Sequence, residues 1–100
     1  MIVRIVKMTF RPNEVSAFLE IFAEIKFKIS SFEGCRKLEL LHDNNDPRIM
    51  ITRSLWDNEA SLEAYRNSEL FISTWTRTKA LFDDKAEAWT MTDITDPSNA

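Results

Sequence analysis

Residues 2–10, Ile-Val-Arg-Ile-Val-Lys-Met-Thr-Phe, are rich in β-branched side chains and predict a strand. Arg11-Pro12-Asn13 breaks it, with Asn13 placed to cap a helix and Glu14 to sit in its first turn. Val15, Phe18, Leu19, Phe22, Ile25 and Ile29 then recur at helical spacing, with Glu20, Glu24 and Lys28 off the stripe. This predicts a first helix over about residues 14–31, and Gly34 is the residue free to take a left-handed turn after it. Residues 35–42 predict a second strand, with Leu38 and Leu40 on one face and Glu39 and Leu41 on the other. His42 to Pro47 turns the chain into a third strand over residues 48–56, making a hairpin. Asp57 or Asn58 caps a short helix carrying Leu62 and Tyr65 on one side. Asn67-Ser68 restarts a helix through about Phe82, with Phe71, Trp75, Thr78 and Phe82 along one stripe. Residues 86–94 form the last strand and 95–100 a polar tail.

The order β-α-β-β-α-β predicts an α+β fold of the ferredoxin-like, split βαβ kind over residues 1–94, a four-stranded antiparallel sheet covered on one face by helices. Such a sheet alone has one apolar and one wet face, yet here both parities carry apolar residues. Val3 and Ile5 oppose Ile2, Val6, Met8 and Phe10; Ile49, Ile51 and Leu55 oppose Met50 and Trp56; Trp89 and Met91 oppose Ala88 and Ile94. The expected partner for the second face is another copy of the chain, packed sheet to sheet as a two-fold homodimer.

Composition narrows the chemistry. Among 100 residues there is one Gly, one Cys (Cys35) and one His (His42). A single Gly rules out a phosphate-binding loop or dinucleotide fingerprint, and a single His and Cys rule out a zinc finger, a three-histidine zinc site and a disulfide framework. The run Asp43-Asn44-Asn45-Asp46-Pro47 lacks the turn glycine and distal Glu of a calcium loop and reads as the hairpin turn. A net charge of −3 argues against a nucleic-acid partner. No apolar run approaches the roughly 20 residues of a membrane span. The opening Met-Ile-Val-Arg-Ile-Val-Lys does not read as a signal peptide, and with the unpaired Cys35 this gives a cytoplasmic expectation.

Four segments carry a resemblance: Phe32-Glu33-Gly34-Cys35, Leu38-Glu39-Leu40, Trp56-Asp57-Asn58-Glu59-Ala60, and Leu62 through Phe71, which is similar to an ALxxHxxSxxF pattern. Through them the chain resembles, over about residues 1–94, the antibiotic-biosynthesis-monooxygenase-like domains of the dimeric α+β barrel group. The resemblance implies a small cavity between helices and sheet in each subunit, and a dimer that closes the barrel. The departures are specific. Many members carry His where this chain has Tyr65 and Leu70, and Glu where it has Ser54. A related branch degrades haem through an axial His; the matching position here is Trp75, whose indole does not ligate iron as imidazole does. That branch's strand-1 Asn is replaced by Val6 or Lys7, so haem degradation is disfavoured.

Two readings stand for each candidate residue. Trp75 and Phe71 are core packing or cavity lining; Phe22 and Trp56 are core or further walls. Tyr65 is a core phenol with a satisfied hydroxyl, or a hydrogen-bond donor to a phenolic or quinone-like substrate. Arg4 and Arg53 lie in mid-strand, where they pair with carboxylates such as Glu39 or Glu87, sit at a rim, or point at an acidic substrate. His42 reads as a surface group and Cys35 as an inert thiol. No nucleophile–base pair and no flavin- or metal-binding cluster emerges. The resemblance therefore implies a cofactor-independent monooxygenase acting on a small aromatic or quinol-type compound, which itself supplies electrons to oxygen, with Tyr65 orienting it. The alternative is a dimeric small-molecule-binding or stress-response domain without turnover, motivated by the two missing histidines.

Overall fold

The β-branched runs and the helical stripes settle into a single layer of strands under a layer of helices. The computed structural model describes residues 1–95. The chain runs β1 (Ile2–Phe10), a 3-10 turn (Pro12–Glu14), α1 (Val15–Ser30), β2 (Cys35–His42), β3 (Ile49–Trp56), α2 (Glu59–Arg66), α3 (Glu69–Lys79) and β4 (Phe82–Thr92). The strands form one antiparallel sheet in the order β2-β3-β1-β4. This is the ferredoxin-like α+β arrangement. No helix among the described residues is long and apolar enough to cross a membrane. Of the tail expected at 95–100, residues 96–100 lie outside the described residues.

Alternation along β1 and β3 decides which side chains meet the helices. Ile2, Met8 and Phe10 of β1 and Met50, Ser54 and Trp56 of β3 are buried on the helix side. α1 contributes Phe18, Ile21, Ile25 and Ile29, and α2 contributes Leu62. The buried positions of α1 are rotated slightly from the expected stripe: Leu19 is 44% exposed and Ile21 takes its place in the core. Bulk gathers at the two ends of the sheet. Met8, Phe10, Phe18 and Met50 form one cluster, and Ile2, Trp56 and Leu62 another.

Three boundaries differ from expectation. Asn13 does not cap α1; it lies inside the 3-10 turn that Pro12 opens, and Glu14 takes the cap position without a side-chain bond. α3 ends at Lys79, where Leu81 N–H donates to the Thr78 carbonyl. β4 accordingly begins at Phe82 rather than near residue 86, pairing Phe82 with Phe10. The Phe82 ring still meets Trp75 at 5.6 Å, so its spacing imitates a helical stripe although the chain has already turned back as a strand. The other caps follow the pattern. Asn58 accepts from Ser61 N–H at 2.8 Å and Ser68 from Phe71 N–H at 3.1 Å. Asp43 accepts from the Asn45 and Asp46 N–H groups and so closes the hairpin turn.

The face away from the helices is apolar too. Val3 pairs with Leu55 and Met91, and Ile5 with Arg53 and Trp89. On this face Trp89, Met91 and Leu41 are each more than two-fifths exposed, while Arg53 donates to Glu39 at 2.8 Å.

Gly34 makes the exit from α1 possible. It sits at φ +87°, and a Cβ there would collide with Ser61 Cβ and Oγ. Its carbonyl accepts from Asp57 N–H at 2.9 Å, tying the start of β2 to the end of β3. Strain and collision both act on any side chain, so Gly34→Ala is expected to cost at least about 2 kcal/mol. In a domain of this size that lowers the melting temperature by roughly 8 °C or more in a calorimetric scan; an unchanged melting temperature would contradict this role.

Candidate functional site

Between the bulky ends, the helix-facing positions of β3 and β4 carry short side chains. One cross-strand row runs Leu38, Ser54, Arg4, Thr90; the next runs Leu40, Thr52, Val6, Ala88. Ala86 extends the small patch along β4. The helices rest on the large residues at either end and, through Ile21, Ile25 and Ile29, on Leu38 of β2, leaving space over the short residues of β3 and β4. The result is a cavity of about 270 Å³, roofed by α1, α2 and α3. Its size is just below that of sites for drug-sized ligands, which suits a compound of one or two rings.

The walls are aromatic. From Phe32 a chain of nine rings in successive contact passes through Trp56, Tyr65, Phe71, Trp75, Phe82, Phe10 and Phe18 to Phe22. Tyr65, Phe71, Trp75 and Phe22 line the cavity, together in one space. Trp56, expected as a further wall, is placed elsewhere. It is fully buried behind Tyr65, stacked on that ring at 5.0 Å, and its Nε1–H donates to Ser54 Oγ at 2.9 Å. The reason is alternation: Trp56 shares the helix-facing side of β3 with Ser54 but lies one row further on, under α2, where Leu62 and Ile2 enclose it.

Tyr65 is held by Trp56 stacked on one face and by the edges of Phe32 at 5.5 Å and Phe71 at 5.3 Å. Among the described residues no group hydrogen-bonds its hydroxyl. Burial, and secondarily the charge of a nearby Cys35 thiolate, push the phenol well above its ordinary value. At neutral pH Tyr65 is therefore a neutral donor and acceptor, not a base. Cys35 is itself raised by burial, as an inert thiol is.

The charged residues of the lining are both arginines, Arg4 and Arg66. Arg66 pairs with Glu63 at 3.6 Å across one helical turn. Arg4 donates to Thr90 Oγ1 at 2.7 Å and forms no ion pair among the described residues. The pairing expectation thus holds for Arg53 and not for Arg4. His42 is exposed at the end of β2, its Nδ1 3.1 Å from the Asp43 carbonyl, away from the cavity. Ser54 lines the cavity, while Leu70 packs on the isoleucines of α1.

Thr52, Ser54, Thr74, Thr78 and Arg66 also line the site without having been singled out as cavity walls. The available signal was the run of short residues at one parity of β3 and β4, between large ones at the same parity.

Comparison with known proteins places this geometry. A family model described as antibiotic biosynthesis monooxygenase matches residues 1–75. A crystal structure described as an antibiotic biosynthesis monooxygenase is similar at TM-score 0.88 and 19% identity, over 94% of this chain and 99% of that one. A conserved protein from Methanosarcina mazei is similar at TM-score 0.85 and 21% identity, over 91% of each chain. A protein from Mycobacterium tuberculosis is similar at TM-score 0.87 and 14% identity, over 95% of this chain and 96% of that one. No curated protein matches.

Tyr65 is the single tyrosine of the chain, so its ionisation is readable by ultraviolet absorbance. Because the phenol is raised in the folded state, the fold binds its proton more tightly than the unfolded chain does. This contribution to stability is complete below about pH 10, the ordinary tyrosine value, and is lost as pH rises above it. Tyrosinate absorbance should appear only well above pH 10 and together with loss of near-ultraviolet circular dichroism. Ionisation near pH 10 in a folded protein would contradict the buried placement.

Proposed function

Because the chain belongs to the antibiotic biosynthesis monooxygenase family, we propose that its cavity receives a small aromatic or quinol-type compound and promotes its oxidation by dioxygen. One observation carries this reading: an aromatic-walled cavity holds a half-buried, neutral phenol whose hydroxyl has no hydrogen-bond partner among the described residues. That hydroxyl donates to a phenolic or quinone-type oxygen of the ligand, with Phe71 and Trp75 against the ring and Phe22 as the wall contributed by α1. The donor is most useful where the oxygen becomes anionic, because hydrogen bonds to charged acceptors are the stronger ones.

The chemistry then belongs to the substrate. A phenol-conjugated methylene loses a proton, and the delocalised anion passes electrons to dioxygen. A carbon–oxygen bond forms, the oxygen–oxygen bond of the resulting hydroperoxide breaks, and water leaves. The balance is CH2 plus O2 giving C=O plus H2O, with all four electrons coming from the substrate carbon. The protein desolvates the compound and stabilises the anion.

A second reading has its own support. No carboxylate, histidine or lysine lines the cavity, so no side-chain base stands ready to take the proton. On that reading the domain binds its ligand without turnover. In either case the apolar outer face of the sheet, with Val3, Ile5, Trp89 and Met91, is covered by a second copy of the chain.

Oxygen uptake with hydroquinones and anthrone-like phenols separates the readings. Turnover that falls about ten- to a hundredfold in Tyr65→Phe, with the melting temperature kept, is the expected result; this is the worth of a hydrogen bond to a charged group. Turnover indifferent to Tyr65→Phe overturns the role of that residue. No uptake, with ligand-induced rises in melting temperature, favours the binding domain. Sedimentation at micromolar concentration should give twice the 11.7 kDa chain mass, and Trp89→Glu should shift it to the single chain. A wild-type particle of one chain would overturn the dimer.

A further inference from the structure

Arg4 is the one arginine whose surroundings the fold does not explain. Arg36, Arg48, Arg53, Arg66 and Arg77 each meet a carboxylate. Arg11 is exposed and donates to the Ala80 carbonyl. Arg4 alone is half-buried without a carboxylate among the described residues, although it stands in the middle of the central strand β1. Its neighbours across the sheet are the neutral hydroxyl residues Ser54 and Thr90. Only one of its five N–H donors is used, in the 2.7 Å bond to Thr90 Oγ1.

Such a placement is costly unless something anionic meets it. Taking a guanidinium partly out of water is unfavourable, and a mid-strand position on the helix-facing side is where an apolar residue would pack. The second charged group of the lining deepens the asymmetry. Arg66 acts on Arg4 by like-charge repulsion, and Glu63, which pairs with Arg66, offsets it in part. Two guanidiniums thus line the cavity of a chain whose net charge is −3, and the one nearby carboxylate, Glu63, is exposed and outside the lining.

We propose that Arg4 is the anion anchor of the cavity, and that the ligand is a small aromatic acid. Its carboxylate pairs with the Arg4 guanidinium on the sheet floor, and its ring lies among Phe22, Phe71 and Trp75. The inference rests on the cavity being the ligand site and adds the charge of the ligand. A guanidinium presents parallel N–H donors matching a carboxylate, and the apolar walls lower the dielectric around the pair. The arrangement selects acids over neutral isosteres of the same shape, because a neutral ligand leaves the cation unpaired.

Isothermal titration with matched pairs tests this: 4-hydroxybenzoate against 4-hydroxybenzamide, and 6-hydroxy-2-naphthoate against its amide. The wild type should bind at least one acid about tenfold or more tightly than its amide. Arg4→Gln should abolish the preference, and Arg4→Lys, which keeps a charge without the fork, should retain part of it. Arg66→Gln should weaken the preference less, since Arg66 already has a partner. If Arg4→Gln does not fold, Arg4→Lys and the fall of wild-type acid affinity with added salt carry the test. Equal affinity for acid and amide, or a preference that survives in Arg4→Gln, overturns the anchor and leaves the cavity a ligand site. Absence of binding by either series to folded wild type overturns the ligand site as well.

Discussion

The structure depends on the helices being held off the middle of the sheet. Trp56, Ile2 and Leu62 fill the space at one end, and Met8, Phe10, Phe18 and Met50 fill it at the other. Between them the short side chains of Ser54, Thr52, Val6, Ala86 and Ala88 line the space left under the helices. Interiors otherwise pack to crystal-like density, so a void of this kind persists only because large neighbours prop it open. The same props order the aromatic chain. Phe10 and Phe18 stack at 4.3 Å at one end and Trp56 stacks on Tyr65 at the other, so the lining rings Phe18 and Tyr65 are each fixed by a ring, Phe10 or Trp56, that does not line the cavity.

Within that frame two polar groups are incompletely matched among the described residues, Tyr65 without a hydrogen-bond partner and Arg4 without a carboxylate, and they differ in kind. Tyr65 presents a neutral hydroxyl whose proton burial retains. Arg4 presents a charge that the sheet leaves without a counter-ion. A protein selected only for stability would satisfy the first and replace the second with an apolar side chain. Their shared position in one apolar enclosure argues for a ligand with an aromatic body, a hydrogen-bonding oxygen and an acidic group. Ser54 sets the character of the floor beside Arg4. Here the site has a small hydroxyl engaged by Trp56 and a cation beside it, a setting that favours an anion.

The topology was legible in the sequence because two periodicities differ sharply: strands of β-branched residues, and Phe18, Ile25 and Ile29 at helical spacing. Gly34 was legible for a complementary reason, being the residue able to hold a left-handed turn at no steric cost. Phe82 misled because a strand and a helix can deliver a ring to the same core at the same spacing. Asn13 misled because Pro12 recruits it into a 3-10 turn. In the site, Phe71 and Trp75 were visible as a stripe on one helix, and Tyr65 as the ring beside Leu62 on the short helix before it. The floor was not singled out, since its defining feature is missing bulk, and its one signal, short residues recurring at one parity of β3 and β4, is weaker than an apolar stripe. Arg4 and Arg53 were indistinguishable as mid-strand arginines. Register separated them, setting Arg53 opposite Glu39 and Arg4 opposite Ser54 and Thr90.

The central claim is that the propped middle of the sheet is a binding site whose polar contacts are Tyr65 and Arg4. A titration of the isotopically labelled protein with 6-hydroxy-2-naphthoate, followed by amide and indole nuclear magnetic resonance shifts, tests it most directly. The account predicts saturable shifts at Arg4, Val6, Tyr65, Phe71 and the Trp75 indole, with Val3, Ile5 and the Trp89 indole unmoved. Shifts confined to Val3, Ile5 and Trp89 on the outer face, or no saturable shift at all, would contradict it.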